Sequence, residues 1–418
     1  MRIVRLVSLY PPYVVGGNEM LTRDIAEALL ARGHDVHVLT AHGQRLDGIP
    51  YVHQVFNYNL DHKDALFQGG RKLSPVELVR HHVFDPVTYR SVRRVVQELR
   101  PDLVVADNLY MASAAALFAV RDVPCPVVAQ VADKWLLFIL VDWGLAIRPR
   151  TALQRLFVRS IRALLQRPIA RRVRLDGIVT VSDFIRDLYV SVGFPPETLE
   201  TEYLGIHNEV FSAGPAHPLN DPVRLVFVGG LWEGKGPQVA VQALRILSLM
   251  DDMPRFHLDL FGEGSQGFKR YLDGVIREAG VEEQVAFHGF VPWQRLAEAM
   301  RESDVFVFPS IWDEPFAITP LQALGCGLPV VAARAGGTAE GFVDGETALL
   351  IPPNDAQAMA AALARIVRDD TLRQELRTNG LREARERWSF DAYVDRLTDY
   401  YDRVVQRWRC AQRHHVGA

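Results

Sequence analysis

Cysteine is scarce: the chain has three in 418 residues, Cys125, Cys326 and Cys410, with no Cys-x-x-Cys pair. An odd, scattered set supplies neither a disulfide framework nor a zinc framework and fits a reduced, cytoplasmic protein. No Asp-x-Asp occurs. No histidine pair stands four residues apart beside a carboxylate, and His81 and His82, adjacent on a helix, point apart, so a metal site is not expected. No Gly-x-Gly-x-x-Gly follows the first apolar run, which argues against a nicotinamide-dependent dehydrogenase. Long hydrophobic runs are missing too. The most apolar stretch, 135–147, is interrupted by Asp142, and the N-terminal run is too short for a signal peptide or a spanning helix, for which about 18–20 residues are needed. Neither sign of charge dominates. With 47 Lys and Arg against 50 Asp and Glu the net charge is -3, and no nucleic-acid partner is expected.

What is present is an ordinary globular composition, 49% hydrophobic and 23% charged, in a chain long enough for two domains. Short apolar runs suited to strands fall at 3–9, 35–40, 102–107, 127–131 and 177–181, and again at 225–229, 257–261, 285–290, 305–308, 329–333 and 348–351. Near-continuous apolar strands of this kind are buried on both faces, as in a parallel sheet. Amphipathic helical patterns separate them, for example at 18–32, 237–250 and 293–302. The alternation predicts an α/β chain with doubly wound layers. The pattern restarts near residue 222, after a segment rich in Pro, Gly and small residues at 211–222. Two Rossmann-like domains are therefore expected, at 1–210 and 222–388. A final helix at 389–410 is expected to pack back on the first.

Three segments carry candidate chemistry. The first strand leads through Pro11-Pro12 into Gly16-Gly17 and a helix, a turn that lets backbone amides approach a ligand or is simply tight. The second half restarts with Gly229-Gly230-Leu-Trp-Glu-Gly-Lys235-Gly236 before another helix. Lys235 there is either a point cation for a diphosphate or a solvated loop lysine. The third segment runs from Pro309-Ser310 through Glu314-Pro315-Phe316-Ala317-Ile318-Thr319 to Gln322. Pro315 suggests a helix start, with the amides of Phe316, Ala317 and Ile318 free to bind an anion. Glu314 and Gln322 either contact two ends of one extended ligand or act as a helix-dipole acid and a surface residue.

The chain resembles glycosyltransferase family 4, a group that includes sucrose-phosphate synthase. The resemblance rests on Gly16-Gly17-Asn-Glu, Arg32-Gly33-His34, Val181-Ser182, Gly229…Lys235-Gly236, Phe261-Gly262-Glu-Gly264, Phe287-His-Gly289-Phe290, Glu314-Pro-Phe…Cys326-Gly-Leu-Pro329 and Gly336-Gly337…Asp344-Gly345, in that order along nearly the whole chain. It implies a GT-B fold, two Rossmann-like domains facing across a cleft, and a retaining, metal-independent transfer of a hexosyl group from a UDP- or GDP-linked sugar, the co-substrate, with no cofactor. Lys235 would neutralise the diphosphate and Glu314 would bond the donor sugar. The amides of Phe316, Ala317, Ile318 and Thr319 would hold sugar and diphosphate, Gln322 the ribose, and Gly17 the phosphate. Gly229, Gly230 and Phe290 would complete the donor side. Catalysis would then consist of positioning and of stabilising the departing diphosphate.

Three positions depart from the family. Gln322 stands where a glutamate is usual and loses its charge-assisted contact. Gly230 stands where arginine is frequent. In Val131-Ala132-Asp133-Lys-Trp135, Ala132 replaces a histidine and leaves Asp133 as the candidate for part of that role. These departures keep open a non-catalytic, nucleotide-sugar-binding relative. A two-lobed epimerase or a phosphorylase with a pyridoxal phosphate lysine remains a further alternative. The acceptor would be a saccharide, a lipid-linked sugar or a small molecule. Nine arginines and no acid lie between 148 and 174, just after the apolar 135–143. That segment, 135–174, is either an ordinary amphipathic helix or a contact for an anionic membrane surface, which would place the protein peripherally at the inner face.

Overall fold

The computed structural model describes residues 1–14, 16–59, 84–110, 114–140, 156 and 173–416. The chain divides into two compact units. The first holds Met1–Val181, Ile185–Glu202 and Val394–Ala418, and the second Ser182–Phe184 and Tyr203–Tyr393.

The first unit is a seven-stranded parallel sheet in the order β3-β2-β1-β4-β5-β6-β7. Its strands are β1 (Arg2–Leu6), β2 (Asp35–His42), β3 (Val52–Asn59), β4 (Leu103–Ala106), β5 (Val127–Val131), β6 (Gly177–Thr180) and β7 (Leu199–Thr201). Helices α1 (Gly17–Ala31), α2 (Pro86–Leu99), α3 (Ala115–Ala119), α4 (Trp135–Leu140) and α5 (Asp183–Ser191) lie between strands, as parallel connections require. The central strands β4, β5 and β6 are buried at every position. That accounts for their mostly apolar sequences, Leu-Val-Val-Ala, Val-Val-Ala-Gln-Val and Gly-Ile-Val-Thr. Expected strands at 3–9 and 102–107 are shorter than their apolar runs, because Val7–Leu9 and Asp107 already belong to the loops that leave the sheet.

The second unit repeats the winding with six parallel strands in the order β10-β9-β8-β11-β12-β13. These are β8 (Val223–Val228), β9 (Phe256–Phe261), β10 (Val285–Gly289), β11 (Val305–Phe308), β12 (Val330–Ala333) and β13 (Leu349–Ile351). Its helices are α6 (Pro237–Leu247), α7 (Gln266–Ala279), α8 (Trp293–Arg301), α9 (Thr319–Cys326), α10 (Ala356–Arg368) and α11 (Asp370–Glu386). Alternate positions of the strands and the apolar faces of α6, α7, α10 and α11 form one core, in which Leu225, Phe227, Leu244, Leu258, Val307, Met359 and Leu376 are almost fully buried.

The last helix, α12 (Phe390–Val416), starts in the second unit, and its residues from Val394 onward belong to the first. Val394, Leu397, Tyr401, Val404 and Val405 recur at helical spacing and are buried. Within the first unit this helix is held by ion pairs from Arg396 to Glu202 at 3.1 Å, Asp395 to Arg32 at 3.0 Å and Arg409 to Asp102 at 2.7 Å. No helix among the described residues is long and apolar enough to cross a membrane.

Candidate functional site

In both sheets the chain winds outward from its first strand, then returns to place the fourth strand on the other side of the first. Open α/β sheets bind ligands beyond the carboxyl ends of their strands at this reversal. In the second unit the reversal lies between β8 and β11, paired in parallel with Val305 opposite Leu225. Beyond β8 comes Gly229–Gly236, and beyond β11 comes Pro309–Glu314. Neighbouring strands thereby bring together two groups separated by 79 residues. Lys235 Nζ donates to both carboxylate oxygens of Glu314, at 2.7 and 2.8 Å.

The pair is tightly supported. Ser310 Oγ donates to Glu314 Oε1 at 2.6 Å. The Glu314 side chain is 5% exposed and that of Lys235 22%, so the carboxylate is buried and the ammonium reaches the surface. Lys235 Nζ also lies 5.7 Å from the centre of the Phe308 ring, close enough for a cation–π contribution. An ammonium has three donors, and Glu314 occupies two. The Gly234 carbonyl anchors the neighbouring strand end, accepting from the amides of Ile311 and Trp312 at 2.7 and 3.1 Å. Gly236 joins this loop to α6 at φ +71°, and a Cβ there would fall 1.9 Å from the Pro309 carbonyl oxygen. Only glycine lets the two loops approach so closely.

The segment after Glu314 corrects the expectation of a helix beginning at Pro315. The helix is α9, and it begins at Thr319, with Pro320 as its early proline. Residues 314–318 instead bond to the turn at 336–338. The Gly337 amide donates to the Glu314 carbonyl at 2.8 Å, and the Ala317 amide donates to Thr338 Oγ1 at 3.3 Å. The three amides of Phe316, Ala317 and Ile318 are therefore not a free set at a helix start, since Ala317 already has a partner. Phe316 puts its ring between Tyr203 and Trp388, with centroids at 5.4 and 5.8 Å. Gln322 is 4% exposed, and this excludes the surface-residue alternative. Thr319 Oγ1 donates to the Val228 carbonyl at 3.3 Å, joining the start of α9 to the end of β8.

Of the other expected donor-side residues, Gly229 lies beside Lys235, where a Cβ would fall 4.0 Å from the lysine Cδ. Gly229 and Gly230 follow β8, where a Cβ on Gly230 would meet the indole of Trp232 at 3.5 Å. Phe290 follows β10 and is strongly exposed. Gly17 opens α1 in the first unit, and nothing lies within 4 Å of where its Cβ would be. Asp133, also in the first unit, accepts from Asn18 Nδ2 at 2.8 Å and from the Trp135 amide at 2.7 Å. Burial holds its carboxyl above the usual carboxylate range. Of the arginines between 148 and 174 only Arg174 is described. It bonds Asp176 and the carbonyls of Arg121, Val123 and Cys125. The rest of that basic segment lies outside the described residues. Among the described residues no group of three or more His, Cys, Asp or Glu side chains is placed to hold a metal ion.

Sequence reasoning missed several groups. Ser310 was visible within its motif, but nothing marked it as the third member of the Lys235–Glu314 cluster. Glu340 accepts from the amides of Asp183 and Phe184 at 2.8 and 2.7 Å and from the Tyr203 hydroxyl at 2.9 Å, all within the second unit. Arg5, in the middle of an apolar strand, is fully buried and bonds Asp107 at 2.6 Å. Burial pushes the Asp107 carboxyl up to about 6, against the pull of Arg5.

The chain matches two families: glycosyl transferases group 1 over residues 214–383, and the glycosyl transferase 4-like domain over residues 16–205. The amylovoran biosynthesis glycosyltransferase AmsK of Erwinia amylovora is 29% identical to it over 45% of this chain and 47% of its own. The chain spans about half the length of the first curated relatives it matches. The glycogen synthase of Mycobacterium tuberculosis is 27% identical over 94% of this chain and 91% of its own. Among solved structures, HepE of Anabaena superposes with a TM-score of 0.70 over 96% of this chain and all of its own at 20% identity. That likeness concerns the fold, which is GT-B.

Proposed function

The chain belongs to the family 4 glycosyltransferases, and from that premise we propose that it moves a hexosyl group from a nucleotide-sugar donor to a hydroxyl acceptor with retention of configuration. The observation that carries the reading is the Lys235–Glu314–Ser310 cluster at the strand-order reversal of the second sheet. Glu314 fixes the ammonium in place, and the remaining Nζ donor is available to a diphosphate oxygen. A cation held this way stabilises the charge that develops on the departing diphosphate without reorganising at the moment of bond breaking. HepE has been crystallised with UDP and with UDP-glucose, which supports a uridine nucleotide as the first donor to try. In this reading the amides of Phe316 and Ile318 and the side chain of the buried Gln322 would supply the remaining donor contacts.

No metal or cofactor takes part in this reading, so a chelator leaves turnover unchanged. The acceptor is a saccharide, a lipid-linked sugar or a small molecule, and a cytoplasmic protein that meets it at an anionic membrane surface fits the basic segment.

The test is a thermal-shift and turnover series with UDP, GDP and ADP and their sugars. A nucleotide that binds only the folded state raises the unfolding temperature, and Lys235→Ala removes that rise. NMR of the product reports the anomeric configuration. Binding without turnover of any donor and acceptor pair, unaltered by Glu314→Ala, turns the reading to a non-catalytic nucleotide-sugar binder. An inverted product overturns retention.

A further inference from the structure

The peptide unit that joins Pro315 to Phe316, directly after Glu314, is held by a residue 133 positions earlier in the chain. Ser182 Oγ donates to the Pro315 carbonyl at 2.6 Å, and Ser182 is fully buried. The bond is closely enclosed. A Cβ on Gly337 would fall 2.2 Å from the Pro315 oxygen and 2.5 Å from Ser182 Oγ. The Pro315 carbonyl and the Phe316 N–H share one planar unit, and this peptide bond is not cis. Fixing the oxygen therefore fixes the N–H, which points the opposite way. Among the described residues that N–H has no acceptor. The neighbouring Ala317 amide, by contrast, is taken by Thr338 Oγ1.

Ser182 is itself placed by Glu340. Ser182–Phe184 belongs to the second unit, although the chain on both sides of it belongs to the first. The Glu340 carboxylate accepts from the amides of Asp183 and Phe184 at 2.8 and 2.7 Å. These are the first two residues of α5, and the N-terminus of a helix favours an anion. Glu340 Oε2 also accepts from the Tyr203 hydroxyl at 2.9 Å, and the Tyr203 ring lies 5.4 Å from that of Phe316. The carbonyl on one side of the Pro315–Phe316 peptide and the ring on the other are thus fastened to one frame around Glu340.

We propose that Ser182 is a positioning residue for sugar transfer: through the Pro315 carbonyl it aims the Phe316 N–H at an oxygen of the nucleotide sugar, and Glu340 holds Ser182 in place. The inference rests on the sugar-transfer reading for its ligand. The oxygen belongs to the diphosphate or to the sugar; both accept from an amide.

The experiment uses the full chain and two measurements. The first needs no ligand. Hydrogen exchange at the Phe316 and Ala317 amides is expected to quicken about three- to tenfold in Ser182→Ala, the equivalent of one lost hydrogen bond, and to stay at the wild-type rate in Ser182→Thr, which keeps the hydroxyl. The second is calorimetric titration with UDP, GDP or ADP, whichever the wild type binds, and with its glucose conjugate. Ser182→Ala is expected to weaken binding by about three- to tenfold. An equal loss for both ligands assigns the N–H to the diphosphate, and a loss confined to the conjugate assigns it to the sugar. Glu340→Gln should act in the same direction and add little to Ser182→Ala, since both work through one hydroxyl. Exchange unchanged in Ser182→Ala overturns the proposal. Faster exchange with unaltered affinity for both ligands leaves Ser182 a structural role only and overturns it as well. Additive effects of Ser182→Ala and Glu340→Gln remove Glu340 from the arrangement. A wild type that binds none of the three nucleotides sinks the sugar-transfer reading instead, and hydrogen exchange still decides whether Ser182 fixes the peptide.

Discussion

Replacing Lys235 by methionine separates what the buried pair does for the fold from what it does for the ligand. In the wild type Glu314 is 5% exposed and takes three donors, two from Lys235 Nζ and one from Ser310 Oγ. Lys235→Met leaves a buried carboxylate with the serine alone. Removing one member of a fully buried pair costs about 3–5 kcal/mol, whereas an exposed pair is worth about 0–1 kcal/mol. Lys235 retains 22% of its side-chain exposure, so water reaches the ammonium and the expected loss is about 2–3 kcal/mol. For a unit of roughly 200 residues that lowers the unfolding midpoint by about 5–10 °C. Lys235→Met/Glu314→Met removes both charges together and should recover most of the loss, because an apolar replacement of a buried pair is often neutral. Nucleotide affinity should not recover, because the diphosphate has lost its cation. Thermal unfolding by circular dichroism and UDP titration on the wild type, the two single variants and the double variant give both readings and a double-mutant cycle. If the single replacements are additive and Lys235→Met melts with the wild type, the pair is not a preorganised unit. If the double variant binds UDP as the wild type does, the cluster is not the diphosphate site.

Gly236→Ala places a Cβ 1.9 Å from the Pro309 carbonyl at a φ of +71°; a loss of about 2–4 kcal/mol and a matching loss of nucleotide affinity are expected, and a normal melting temperature would refute the close approach. Glu340→Ala orphans the amides of Asp183 and Phe184 and the Tyr203 hydroxyl, for a destabilisation of about 2–3 kcal/mol by urea denaturation; a change below about 0.5 kcal/mol would show these bonds to be replaceable by water. Asp107 titrates near 3.8 in an unfolded chain and at about 6 in the fold. Its contribution to stability is then complete below the lower value and disappears as the pH rises through the upper one, a span of at most about 3 kcal/mol. The stability of the wild type relative to Asp107→Asn should accordingly fall between about pH 4 and 6, and a difference independent of pH would show the carboxyl to be unperturbed.

Strand legibility followed burial. Sequences such as Val-Val-Ala-Gln-Val at β5 and Val-Phe-Val-Phe at β11 are covered on both faces and carry no ambiguity of period. The two strands absent from the sequence reading, β3 and β7, are the two edges of the seven-stranded sheet. β3 reads Val-His-Gln-Val-Phe-Asn-Tyr-Asn and β7 only Leu-Glu-Thr. An edge strand has one neighbour and less apolar burial, so its composition approaches that of a loop. The misplaced start of α9 has a different origin. Proline favours the first helical turn, and the segment contains two prolines that satisfy the rule, Pro315 and Pro320. Nothing local chooses between them. The choice is made by the turn at 336–338, well downstream, whose Gly337 amide and Thr338 hydroxyl bond the Glu314 carbonyl and the Ala317 amide and hold this stretch out of the helix.

Lys235 and Glu314 were each singled out in the sequence but not as a pair, and the reason they meet lies in topology. Once the second half is read as parallel strands separated by helices, the order β10-β9-β8-β11-β12-β13 places the carboxyl ends of its first and fourth strands side by side. Charged residues a few positions beyond those two ends must then meet, whatever the 79 residues between them do. The same argument applied to the first unit would have paired the end of β1 with the end of β4 and drawn attention to Asp107. It was not drawn because its partner, Arg5, sits inside the apolar run of β1, where an arginine reads as an interruption and not as a buried counter-ion. A lone charge in a central parallel strand is almost never left unpaired. The rule that recovers the missed group is therefore to seek its partner at the end of the adjacent strand. For β1 and β4 that leads directly to the carboxylate whose second oxygen faces no donor.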